Sequence, residues 1–331
     1  MTFISNKIFS SGLEMSFRKH ENIQKTKVAL IGCGLIGQSW AISFLNAGFD
    51  VSLFDPVEGV TAQAKEKIKA KLIDLQNYGL LKSKNISDYL DKVHLAQNLS
   101  HAVRDSVYVQ ESGPEDLDIK KELTKKIDSA TEANIPIASS TSGIPASLYA
   151  SDIKGKYRCL VAHPINPPHL IPAVELVPAP FTSEGITQTV KDIMISIDKE
   201  PLELKKEIPG FVVNRLQGAL LYEAFNLVKE DIASAEDIDK AISEGLGLRW
   251  SFMGPFQTIH LNAPEGIAGY VKRYEKMYKE MFNKPDIEWA SVLKLGLEEE
   301  LLNLYKLRER EIHEKERNNK LTELILHKIK A

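Results

Sequence analysis

The alternation of apolar and polar positions divides the chain into two regimes. In the first, short β-rich apolar runs alternate with helical patterns. Residues 27–31 predict a strand, 35–47 a helix closed by Gly48, 51–54 a second strand ending at Asp55, and 60–77 a lysine-rich helix. Further strands are expected at 106–110, 135–139 and 159–162, with a helix starting after Pro114. Strands that alternate with helices predict a parallel sheet covered on both faces. Near Pro209-Gly210 the pattern changes, and strand signal gives way to helix. Phe211, Val212, Leu216, Leu220, Ala224, Phe225 and Val228 recur at helical spacing. Ser234 followed by Asp237 opens another helix as a capping box, and the charged, periodic stretch from Glu298 onward predicts a solvated helix. The expected organisation is a flexible tail over 1–26 (Met15 is an alternative start), an α/β domain with a doubly wound sheet over 27–208, and an all-α domain over 209–331.

Composition narrows the function classes. The chain has 331 residues, 43% hydrophobic and 26% charged, with a formal net charge of -3. That balance provides no electrostatic footprint for nucleic acid or an anionic membrane. No apolar run approaches the roughly 20 residues of a membrane-spanning helix. Cys33 and Cys159 are the two cysteines, and neither belongs to a spaced Cys/His cluster. A disulfide framework and a metal site are therefore not expected, and a reducing cytoplasm is.

Gly32-Cys33-Gly34-Leu35-Ile36-Gly37 follows the first strand and opens the first helix. The first glycine permits a tight turn, the second lets a pyrophosphate approach the backbone, and the third lets helix pack on strand. The helix N-terminus then presents N–H groups to the phosphates. An acidic residue about 20 positions on completes a Rossmann-type dinucleotide fingerprint, and Asp55 is that residue. Its carboxylate suits the ribose hydroxyls and would repel a 2′-phosphate, so NAD is the expected cofactor.

Chemistry concentrates between residues 137 and 177. That stretch holds Ser139-Ser140-Thr141-Ser142, then His163-Pro164-Ile165-Asn166-Pro167-Pro168, then Glu175. Oxidation of an alcohol needs a base for the hydroxyl proton, and histidine titrates near working pH. A carboxylate on its far nitrogen would fix the tautomer and stabilise the cation, so His163 and Glu175 form a candidate pair. A proline-flanked loop would hold the histidine at a strand's C-terminal edge. His169 and His260 are rivals, and a purely structural histidine is the alternative reading.

Several motifs in order add to this: 161–168 (VAHPINPP), 174–178 (VELVP), 210–216 (GFVVNRL), 245–249 (GLGLR), and Gly254-Pro255 leading into 260–262 (HLN). From about Val28 to Tyr274 the chain resembles the 3-hydroxyacyl-coenzyme A dehydrogenase superfamily, and within it the lambda-crystallin-like (L-gulonate 3-dehydrogenase) branch. The resemblance implies a Rossmann-type sheet followed by a helical domain, with His163 as base, Glu175 as its partner, and Ser142 and Asn214 positioning the reacting oxygen. It implies Glu111, Lys120 and, more loosely, Ser140 near the cofactor. Asn166 is grouped with them, although it could instead serve the backbone of its own loop.

Two features bear on the substrate. Arg249, in what reads as a Gly-Leu-Gly-Leu-Arg-Trp turn, could grip a free carboxylate; a solvated loop arginine is the alternative. Lys65, Lys67, Lys69 and Lys71 lie in the region that acyl-coenzyme A enzymes use for the nucleotide part of their substrate. At helical spacing they form two rows, 65/69 and 67/71, which is the pattern of a solvated face. A small 3-hydroxy acid is the expected substrate, with 3-hydroxyacyl-coenzyme A or carnitine as alternatives. A non-enzymatic bulk role, as crystallins have, requires no proton transfer and leaves the His163 constellation unexplained. The long apolar faces of the helical region, including Leu220-Leu221 and Ile259, predict a homodimer.

Overall fold

The computed structural model describes residues 27–251, 254–263 and 266–281, together with scattered positions between 307 and 327. The expectations for 1–26, for most of the chain beyond Glu298, and for the side chain of His260 lie outside the described residues. The chain divides into two units between Phe211 and Val212.

The first unit opens with β1 (Lys27–Ile31), α1 (Leu35–Ala47), β2 (Asp50–Phe54) and α2 (Val60–Asn77). After these come α3 (Ile86–Leu90), β3 (Val93–Leu95), α4 (Leu99–Val103), β4 (Ser106–Glu111) and α5 (Leu117–Ala130). The second half contributes β5 (Ile137–Ser139), α6 (Ala146–Tyr149), β6 (Cys159–Pro164), β7 (Ala173–Pro178), α7 (Glu184–Ser196) and β8 (Glu200–Glu203). The strands form one sheet in the order β3-β2-β1-β4-β5-β6-β7-β8. Strand order reverses at β1, with β2 on one side and β4 on the other. That reversal opens a crevice at the strands' C-terminal ends.

Side-chain alternation along the strands builds two cores, one on each face. Ala29 and Ile31 join Val109, Ile137, Val161 and Val177 on one face. On the other, Trp40, Phe44 and Phe49 pack with Tyr108, and the Phe44–Phe49 rings meet edge to face at 5.6 Å. Helix α1 ends where Gly48 turns left-handed, with φ 93°, a conformation that costs a side-chain-bearing residue more than glycine.

Several expectations are corrected. The sheet is mixed, because β6 and β7 run antiparallel. Strands β3, β7 and β8 lack the long apolar runs that the pattern relied on. Strand β7 is interrupted by Glu175 and bounded by prolines. Strand β8 contains Pro201, which its position at the sheet edge tolerates. Phe211 does not lie on the following helix. It takes φ 52° just after Gly210, and its side chain is buried in the core of the first unit.

In the second unit the described residues form α8 (Val213–Lys229), α9 (Ala235–Lys240), a π-helical turn (Ala241–Leu246), α10 (Gly247–Trp250), α11 (Pro255–Leu261) and α12 (Gly266–Met281). The Ser234 hydroxyl accepts the Asp237 N–H at 3.1 Å and so caps α9. The stretch read as a Gly-Leu-Gly-Leu-Arg-Trp turn is helical throughout. A β-carbon on Gly247 would stand 2.7 Å from the Ile242 carbonyl oxygen, so this glycine serves close packing inside a wide helical turn.

Candidate active site

The glycine turn joins β1 to α1. Gly32 takes φ 95°, and a β-carbon there would lie 2.6 Å from the Ser112 backbone; one on Gly37 would lie 2.0 Å from the Gly32 carbonyl oxygen. Gly34 differs, since nothing lies within 4 Å of the same position. Two glycines thus close the turn on itself, and the third leaves open space beside the helix start. No side chain caps α1, and its first turn carries no acidic residue. The turn fits a dinucleotide pyrophosphate, which would supply the missing acceptors at Leu35 and Ile36.

Asp55 stands at the end of β2. Its Oδ2 accepts the Cys33 N–H at 2.9 Å and its Oδ1 accepts the Val57 N–H at 3.0 Å. These bonds hold the carboxylate at the rim, where further lone pairs remain for ribose hydroxyls. Burial, and then the Asp55 charge, pushes the Cys33 thiol up to about 12. The sulfur at the cofactor turn is therefore a neutral packing group.

Glu111 ends β4 and Lys120 lies on α5. Both are 1% exposed, and they pair in the interior with Nζ 3.0 Å from Oε2. Glu111 Oε1 also accepts the Gly113 N–H at 2.6 Å, and Oε2 accepts the Ser139 hydroxyl. The two side chains face each other and brace the loops at the sheet edge. A nearby residue that sequence reasoning missed is Glu115. One of its oxygens accepts the Thr141 hydroxyl at 2.6 Å, the Ser142 N–H at 2.9 Å and the Ser142 hydroxyl at 3.1 Å. Burial raises its carboxyl, but the Thr141 bond, the Lys120 charge and the Ser142 bonds outweigh this and hold it below the usual carboxylate range. Its sole sequence signal was an acidic residue before Asp116, the cap of α5.

His163 is the penultimate residue of β6. In the antiparallel register it stands directly opposite Glu175 on β7, so their side chains share a face of the sheet. Nδ1 and Oε2 are 2.7 Å apart, with the histidine 7% exposed and the glutamate fully buried. A carboxylate can only accept, so Nδ1 carries the proton in the neutral ring and Nε2 is the basic nitrogen. The Phe211 ring packs 5.6 Å from the imidazole. The pair is thus built on rigid strands, and the loop expected to present the histidine instead follows it. His169, on that loop, meets the Ser39 hydroxyl at 3.1 Å.

The remaining candidates are spread out. Ser140 lies just beyond β5, bonded to Trp40, Gln110 and Ser112. Asn166 is exposed after β6. Asn214 and Arg249 belong to the second unit, Asn214 half-buried in the first turn of α8 and Arg249 exposed on α10. The lysine rows of α2 are split by the fold. Lys65 donates to the Val93 carbonyl and Lys71 to Gln38, both at 3.3 Å, while Lys67 and Lys69 are exposed. Burial, with Lys67 nearby, lowers the Lys71 ammonium.

A doubly wound sheet with a glycine turn at its switch point has the architecture of an NAD-dependent dehydrogenase. The chain belongs to the 3-hydroxyacyl-CoA dehydrogenase family: residues 27–208 match its NAD binding domain and 210–299 its C-terminal domain. It is 39% identical over 274 residues to lambda-crystallin of Oryctolagus cuniculus, covering 81% of this chain and 86% of the relative. It is 38% identical over 240 residues to the L-carnitine dehydrogenase of Streptomyces griseus, covering 72% and 70%. Among solved structures, a 5-formyl-3-hydroxy-2-methylpyridine 4-carboxylic acid 5-dehydrogenase, described as an NAD+-dependent dismutase, superimposes with a TM-score of 0.77 at 25% identity, over 92% of this chain and 98% of the other.

Proposed function

We propose that the protein oxidises the 3-hydroxyl of a small, free 3-hydroxy acid of the L-gulonate type. The observation that carries this reading is the buried His163–Glu175 pair, with Nδ1 held at 2.7 Å and Nε2 as the basic nitrogen. Bound NAD supplies the acceptor for the hydride that leaves the substrate's third carbon. His163 takes the hydroxyl proton at Nε2 as the carbonyl forms, and Glu175 stabilises the resulting imidazolium. Phe211 shields one side of the ring from water. Ser142 and Asn214 position the reacting oxygen, Ser142 through the bonds that tie it to Glu115. Gly32, Gly34, Leu35, Ile36, Gly37 and Asp55 hold the dinucleotide, with Glu111, Lys120, Ser140 and Asn166 shaping the same end of the site.

A free acid is favoured over an acyl-coenzyme A on two grounds. Lys65 and Lys71 are engaged within the fold, so α2 offers two exposed lysines and no focused patch for a nucleotide phosphate. Arg249 supplies an exposed guanidinium able to bind a carboxylate in bidentate fashion. The named substrates of the carnitine and pyridine carboxylic acid dehydrogenases also carry a carboxylate. Two separate, buried thiols are in keeping with a cytoplasmic enzyme, and the exposed apolar faces of the second unit with a homodimer.

The test is steady-state kinetics with L-gulonate, L-carnitine, 3-hydroxybutyrate and 3-hydroxybutyryl-coenzyme A. Wild type should turn over a free acid best, and Arg249→Ala should raise KM for free acids alone. His163→Ala should lower kcat by about 10²–10⁴-fold while NADH affinity stays close to wild type. Preference for the coenzyme A ester would overturn the substrate assignment, and turnover surviving His163→Ala would overturn the base.

A further inference from the structure

A chain of hydrogen bonds runs through the sheet to the cofactor edge, and its donors and acceptors admit one direction. It starts at Tyr108, fully buried on β4, whose hydroxyl donates to Gln110 Oε1. A phenol hydroxyl can also accept, so the opposite end of the Gln110 amide decides which end is oxygen. Nε2 lies 2.7 Å from Ser140 Oγ and 3.5 Å from the Ala162 carbonyl, which can only accept. Trp40 Nε1, an obligate donor, reaches the same Ser140 oxygen at 3.0 Å.

A serine hydroxyl has two lone pairs and one proton. Trp40 and Gln110 occupy both lone pairs of Ser140, so its proton goes to the next oxygen, Ser112 Oγ, at 2.9 Å. Ser112 thereby receives a proton from behind and has its own to give forward. Ser112 is half-buried, and its position fixes what lies ahead. It follows β4 directly, its N–H donates to the Ile31 carbonyl at 2.7 Å, and its backbone abuts Gly32. Asp55 occupies the β2 side of β1 and Ser112 the β4 side. A dinucleotide whose pyrophosphate lies on the glycine turn, with its adenosine ribose at Asp55, passes its other half over Ser112.

We infer that Ser112 is a binding residue for the nicotinamide half of NAD, and that Tyr108, Gln110, Ser140 and Trp40 orient its hydroxyl as an obligate donor to an oxygen of that half. Ser140, expected beside the cofactor, has no free proton or lone pair; it transmits polarity. This assignment rests on the family's NAD binding and is independent of the substrate and of His163.

Binding measurements test it. NADH is titrated by its fluorescence, and AMP, which lacks the nicotinamide half, by competition. Ser112→Ala should weaken NADH about tenfold, the scale of one hydrogen bond to a polar ligand, and leave AMP unchanged. Gln110→Glu replaces the amide donor by an acceptor. The Ser140 proton then turns back to residue 110, and Ser112 turns back to Ser140. NADH should weaken comparably when Ser112 is present and show no further loss when combined with Ser112→Ala. Where Gln110→Glu fails to fold, Trp40→Phe, which frees one Ser140 lone pair, should show a smaller loss with the same dependence on Ser112. The inference is overturned by unchanged NADH affinity in Ser112→Ala, by AMP weakening as much as NADH, or by losses that persist undiminished in the Ser112→Ala background.

Discussion

At the scale of single residues, the glycine turn holds both positions that the fold fills and one that it leaves open. Gly37 has no room for a methyl group, with a carbonyl oxygen 2.0 Å from where it would sit, while Gly34 has nothing within 4 Å. Gly37→Ala should therefore lower the melting temperature sharply, because a backbone oxygen cannot rotate away as a side chain can. Gly34→Ala should leave the melting temperature within a degree or two and weaken NADH by about tenfold or more, as the methyl takes the space the pyrophosphate needs. Equal melting temperatures for the two variants would sink this division of labour. The glycines were legible in the sequence because a tight turn demands that residue type, and His163 stood out as a candidate because histidine titrates in the range a proton transfer needs. Glu115 was not legible, since its bonds come from the Thr141 hydroxyl and the Ser142 N–H and hydroxyl, 26 and 27 residues away in sequence. Glu111 and Lys120 were singled out, but their burial against one another is a property of packing.

At the scale of elements, the β6–β7 hairpin brings two residues twelve apart in sequence into a hydrogen-bonded pair. A register shift of one would put His163 and Glu175 on opposite faces of the sheet. The loop between the strands is held by Lys199, just before β8, whose ammonium donates to the carbonyls of Pro168 and Ile171. Burial pushes that ammonium down to about 8 from its ordinary 10.5, against the pull of Asp198. Between these values the unfolded chain still holds the proton and the folded chain has released it. The free energy of unfolding contributed by Lys199 therefore rises with pH from about 8 to 10.5, and below 8 the full cost of burying the charge stands. Urea unfolding of wild type and Lys199→Met at about pH 7.5 and pH 9.5 checks this: wild type should gain on the variant at the higher pH, and parallel behaviour would contradict it. Strands β7 and β8 escaped the sequence pattern for a related reason. Their polar and proline residues are tolerated because β7 pairs on both sides and β8 lies at an edge, which only the assembled sheet reveals.

For the whole molecule, the second unit raises the question of assembly. Leu216, Leu220 and Phe256 are exposed at 63%, 38% and 74%, and Leu216 and Leu220 lie one turn apart on α8. Apolar exposure of this kind is what a self-association surface presents. Light scattering after size exclusion should give twice the chain mass, and Leu216→Glu with Leu220→Glu should shift it toward the monomer while NADH still binds. A monomeric wild type would remove the proposed homodimer. By itself, the sequence determined the alternation of strands and helices, the change to helix near Pro209, the dinucleotide turn and the identity of the chemical groups. Each of these rests on local physics: periodicity, glycine conformation and the pKa range of histidine. The tertiary structure alone decided that β7 runs antiparallel and places Glu175 against His163, that Phe211 packs on that histidine, and that an indole and an amide donating to Ser140 set the direction of its hydrogen bond with Ser112. Those facts depend on which distant segments meet and in what register, and no local pattern encodes a register.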